Sequence, residues 1–93
     1  MNPLLVSSHS VVKAVAGAVS WRIRRNELAD LIAVGPAAVS RAVKAVALAH
    51  TYMSLEGVEI STVPVFEDVL TKEGTTLRAI RFYIRWTRRI SGI

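Results

Sequence analysis

The segment Leu77–Arg89, LRAIRFYIRWTRR, constrains this chain more than any other stretch. Ile80, Phe82, Ile84 and Trp86 alternate strictly with Arg81, Tyr83, Arg85 and Thr87. A period of two is the pattern of a strand with one face buried and one open, and a helix cannot satisfy it. The segment therefore predicts a half-buried strand whose outer face is basic and aromatic. Before it, GVEISTVPVFEDVL (Gly57–Leu70) is rich in β-branched and aromatic residues and reads as a second strand. Pro64 cannot donate to a ladder, so it marks an edge position or a bulge. TKEGTT joins the two as a hairpin turn, with Gly74 at the tight position.

The first half of the chain has a different rhythm. Leu4–Ser7 (LLVS) reads as a short strand, and Ser10 is placed to cap the next element. Val11, Val15, Val19 and Ile23 recur at spacing four, with Lys13, Gly17, Ser20 and Arg24 on another face, which predicts an amphipathic helix from about Val11 to Arg25. Leu31–Val34 (LIAV) is a continuous apolar run, as expected of a covered strand. Gly35 and Pro36 then open a second helix, where the missing N–H of proline costs nothing. Val39, Val43, Val46, His50 and Met53 share one of its faces; Ala38, Ala42, Ala45 and Ala49 form a stripe that permits close approach of a neighbour.

The order is β-α-β-α-β-β. Two crossover helices place the first three strands largely parallel, and the hairpin adds an antiparallel fourth. The expectation is one α+β domain over residues 1–93, a two-layer sandwich with both helices on one face of a four-stranded mixed sheet. With 93 residues, a single core needs no staples. There is no Cys, which excludes disulfides and thiolate metal sites and fits a reducing cytosol. No apolar run is long enough for a transmembrane helix, and MNPLLVSSHS lacks the layout of a signal peptide.

Twelve Lys and Arg stand against seven Asp and Glu, and the signs are segregated. Residues 1–26 hold Lys13, Arg22, Arg24 and Arg25 with no acid; from Arg78 onward there are five Arg and again no acid. Basic ends around a mixed middle point to a polyanionic partner, nucleic acid first. The start of the second helix offers free N–H groups and a positive dipole end to a phosphate. Arg81, Tyr83 and Arg85 are placed for phosphate contact and base stacking, and Arg78, Arg88 and Arg89 extend that stripe towards a basic tail over residues 87–93. Arg22, Arg24 and Arg25 fit a helix C-terminus. No catalytic set emerges: Glu67 and Asp68 are strand neighbours on opposite faces, His50 lies on the apolar helix face, and metal ligands at useful spacing are absent, so no enzyme and no cofactor are expected.

DLIAVGPAAVSRAVKAVALA, with VSSHSVVKAVAGAV before it and GVEISTVPVFEDV after it, resembles the bacterial stage V sporulation protein S family over about Val6 to Val69. That family is similar in turn to the Alba chromatin proteins, whose corresponding helix start also reads Gly, small residues, Ser, basic residue, Ala-Val. The resemblance implies a small, cytoplasmic, homodimeric nucleic-acid-binding protein with a role in sporulation or development. It implies contacts from three places: Ser8, His9 and Ser10 after strand one; Gly35, Pro36, Ser40, Arg41 and Lys44 at the second helix; and Lys72 and Arg78 in the hairpin. One departure stands out. The family usually carries Lys in the first turn, and His9 here is mostly neutral at pH 7. Beyond Thr71 the resemblance fades. A module that binds proteins of a developmental pathway, without nucleic acid, is the alternative.

Overall fold

A computed structural model describes residues 2–89. Residues 90–93, most of the expected basic tail, lie outside the described residues. The elements are β1 (Leu4–Val6), α1 (Val12–Arg24), β2 (Leu31–Ala33), α2 (Pro36–Ser54), β3 (Val58–Leu70) and β4 (Thr76–Arg88). The sheet order is β1-β2-β4-β3. β1 and β2 are parallel, and β4 runs antiparallel to both β2 and β3. The first three strands thus share one direction, and β4 is inserted between β2 and β3.

The alternation in β4 explains its central place. Phe82 and Ile84 are buried, and Ile80 and Trp86 pack on the same core from its margin. β3 lies at the sheet edge, as Pro64 requires, and its pairing runs unbroken past Pro64, which stands opposite Phe82. There is no bulge at that point. The hairpin closes at Gly74 (φ +83°), with the Thr71 N–H donating to Thr75 O at 2.8 Å. β2 pairs only with residues 80–82 of β4, so the far half of the hairpin projects past the domain body.

α2 packs on β1, β2 and β3, and α1 lies chiefly against α2. The alanine stripe of α2 (Ala38, Ala42, Ala45, Ala49) is fully covered, as are Val19 and Ile23 of α1. Three local expectations are corrected. α1 begins one residue late, with Val11 at the cap position and no side-chain cap, because Ser10 spends its hydroxyl on the preceding turn. Ser20 is buried rather than outward, its hydroxyl satisfied by Ala16 O at 2.9 Å. Val43 and His50 of α2 are not core: Val43 is 52% exposed, because the alanine stripe takes the core side and leaves this flank in a groove beside β3. Gly35 holds φ +90° at the start of α2, with Pro36 next, as the sequence predicts.

Candidate nucleic-acid interface

The turn after β1 satisfies itself with serine hydroxyls. The Ser7 N–H donates to Ser10 Oγ (2.8 Å), the His9 N–H to Ser7 Oγ (3.1 Å), and the Ser10 N–H to Ser7 O (3.2 Å). The turn is tied to α2 by Arg41, whose Nε donates to Ser8 O at 2.7 Å and whose Nη1 donates to Ser10 O at 3.1 Å. The first turn and the second helix, assigned separately from sequence, are thereby one structure.

At the start of α2, proline removes one donor and the Val39 N–H returns to Gly35 O at 3.0 Å. The N–H groups of Ala37 and Ala38 have no acceptor among the described residues, as the first turn of a helix dictates. No acid occupies that turn. Ser40 and Lys44 are exposed one and two turns further on, and Lys44 forms no ion pair among the described residues. A helix of 19 residues presents a positive end here with a free cation beside it.

The hairpin approaches the same region. A hollow of about 460 Å³ is lined by Leu5, Val6, Ser7, Ser8, Ile32, Val34 and Val69. Ser7 and Ser8 belong to the turn, Val34 immediately precedes Gly35, and Val69 comes from the hairpin; of the residues assigned from sequence, Ser8 alone lines the hollow. Lys72 is exposed in the hairpin turn and makes no ion pair among the described residues. Arg78 stands opposite Asp68, 3.6 Å from its carboxylate, with its guanidinium 5.0 Å from the Phe66 ring centroid.

The outer face of β4 differs from its sequence reading. Arg81 is not a free outward cation: its side chain is only 17% exposed. It donates to Asp30 Oδ2 through Nη2 (3.1 Å) and Nε (3.3 Å), and Glu67 lies 3.6 Å from its Nη1. Burial works against the Arg81 charge, but the carboxylates of Asp30 and Glu67 outweigh it and hold the pKa above its usual value. Arg85 is 64% exposed and reaches to 3.8 Å from Asp30 Oδ1. The Tyr83 ring has the Arg81 and Arg85 guanidiniums 5.0 and 5.5 Å from its centroid. Two carboxylates thus face two guanidiniums, and this patch is close to neutral rather than basic. Asp30, buried to 1% exposure, is the residue that sequence reasoning missed; an acid directly ahead of the apolar run LIAV was the only signal.

Two further acids are likewise paired. Arg24 chelates Glu56, with Nε 3.0 Å from both carboxylate oxygens, and holds the Glu56 pKa below its usual value. Hydrogen bonds from His50 and Arg89 do the same for Glu59. Among the described residues no cluster of three His, Cys, Asp or Glu gathers at metal-binding distance, and no helix is long and apolar enough to cross a membrane.

A four-stranded mixed sheet with two helices on one face, in this element order, defines the Alba-like fold. Alba from Thermoplasma volcanium matches it with a TM-score of 0.59, over 89% of this chain and 98% of that one, at 15% sequence identity. Within that class the chain belongs to the stage V sporulation protein S (SpoVS) family, whose model matches residues 2–87. The match runs to Thr87, so most of β4, with Arg78, Arg81 and Arg85, falls within the family domain, although the resemblance read from sequence fades beyond Thr71.

Proposed function

We propose that this protein binds nucleic acid through its phosphate backbone and acts as a non-enzymatic regulator in sporulation or development. One observation carries the reading: Arg41 ties the Ser7–Ser10 turn to the acid-free helix α2, with Lys44 and Lys72 exposed and without ion-pair partners among the described residues. Unpaired amides at a helix start and exposed lysines suit phosphate oxygens and carry no sequence information. Binding is therefore of low sequence specificity. Ser8, His9, Ser10, Gly35, Pro36, Ser40 and Lys44 form the centre of the surface, Lys72 and Arg78 its arm, and Arg85 a peripheral contact. Arg81 contributes to the surface through its neighbours rather than by a direct phosphate contact. The protein is cytoplasmic and associates with the nucleoid in this reading.

The active unit is a homodimer. Support comes from the groove of about 390 Å³ between α2 and β3, lined mainly by Val43, Val46, Ala47, Ile60 and Phe82, with His50 at its side. It adjoins residues 61–66 of edge strand β3, which hold no charge. Two chains of net charge +5 meet at lowest electrostatic cost over such an uncharged surface. The same groove favours the second reading, a protein-interaction module without nucleic acid. Binding of DNA and RNA at low and moderate salt separates the two. A wild-type protein that binds neither at low salt leaves only the second.

A further inference from the structure

We propose that Arg41 is a positioning residue: it latches the Ser7–Ser10 turn to α2 and so holds that turn in the conformation that meets nucleic acid. This rests on the nucleic-acid reading above. In a surface of this kind an arginine is expected to meet phosphate itself. Here Nε and Nη1 are already committed to the carbonyls of Ser8 and Ser10, residues 33 and 31 positions away. Both acceptors are neutral, so the guanidinium keeps its full charge while its plane and direction are fixed.

The turn's own bonds show what the latch presents. The Ser7 carbonyl points inward to the Ser10 N–H at 3.2 Å. In a trans peptide the N–H on the other side of that plane, that of Ser8, then points out of the turn. The amides of Ser7, His9 and Ser10 are spent within the turn, whereas the Ser8 N–H has no acceptor among the described residues. A planar group bridging two carbonyls fixes the turn that carries this donor relative to α2. This gives the turn a role that needs no charged side chain, and it explains how His9 can stand where the family usually carries Lys.

Arg41→Lys tests the idea, because it keeps the charge but cannot span two carbonyls with a rigid fork. Affinity for a short mixed-sequence DNA duplex, and for a single-stranded RNA of equal length, is measured against salt for wild type, Arg41→Lys, Arg41→Gln and Lys44→Gln. A latch predicts that Arg41→Lys loses about tenfold in affinity, as much as Arg41→Gln, with an unchanged salt slope. Lys44→Gln lowers the slope instead. Arg41→Lys binding within about twofold of wild type, with a lowered slope only in Arg41→Gln, makes Arg41 an ordinary phosphate contact and overturns the proposal. The second readout is amide exchange at His9 and Ser10 in the free protein, which the latch predicts to be faster in Arg41→Lys. Unchanged exchange overturns the latch whatever the binding result. A wild type that binds nothing overturns the functional reading, and the exchange data still decide the latch.

Discussion

Asp30 Oδ1 accepts the backbone N–H of Ile84 at 2.8 Å, at the point where β2 has not yet begun and β4 would otherwise lack a partner on that side. The same carboxylate takes Arg81 through Oδ2, and its own backbone carbonyl accepts the Leu4 N–H at 2.9 Å. One residue thus ties together β1, β4 and the outer face of the sheet. A buried carboxylate survives only when its oxygens are filled in this way.

Removing that carboxylate should be expensive. Asp30→Ala leaves the Ile84 N–H without an acceptor and Arg81 with Glu67 alone, and is expected to destabilise by about 3 kcal/mol. Asp30→Asn retains an acceptor for Ile84 and is expected to cost less, about 1–2 kcal/mol. Urea denaturation of the two variants checks the order; equal losses would mean that the Ile84 bond contributes little.

The glycines of the two helices predict opposite signs. Gly35 sits at φ +90°, and no neighbour approaches the position of an added Cβ, so Gly35→Ala pays conformational strain alone, about 1–2 kcal/mol. Gly17 lies inside α1 with equally open space around it, so Gly17→Ala is expected to stabilise by about 0.5–1 kcal/mol. Thermal melts of the pair report both.

Acid sensitivity follows from Glu56. Its pKa is lowered in the folded chain by the hydrogen bonds from Arg24. A depressed carboxylate contributes stability above its unfolded pKa, near the usual 4.5, and loses it as pH falls from there through the folded value. The midpoint of thermal unfolding is therefore expected to drop below pH 4.5, and less steeply in Glu56→Gln. Identical profiles for wild type and variant would assign the acid loss to other groups. Both partners are exposed, so added salt should shrink the difference.

The element order was legible because period and punctuation agree: alternation in residues 80–87, spacing four from Val15 to Ile23, and Gly35-Pro36 between an apolar run and an alanine stripe. The candidate site was legible in its parts but not in its wiring. Ser10 reads as a helix cap, yet it closes a turn, because the Ser7 N–H three residues earlier is the nearer donor. Arg81 reads as an outward cation because the alternation says nothing of Asp30, 51 residues away, on the same side of the sheet. The role of Arg41 was hidden for the same reason: its acceptors are backbone carbonyls, which no residue pattern announces.

The groove beside β3 gives a test of assembly. Val43→Lys places a charge on an exposed flank of α2 without touching the alanine stripe. Under the proposed homodimer, light scattering is expected to show a dimeric wild type and a monomeric variant, with the fold intact by circular dichroism; a monomeric wild type contradicts the proposed assembly. A variant that stays dimeric places the contact elsewhere.

The central claim is that phosphate contacts carry the function. Its most direct test is the salt dependence of binding to a DNA duplex, for wild type and for Lys44→Gln combined with Lys72→Gln. Wild type is expected to bind at about 50 mM salt, to lose at least about tenfold by about 200 mM, and to show a slope steeper by about two than that of the double variant. Absence of binding at low salt, or binding that salt does not weaken, would contradict it.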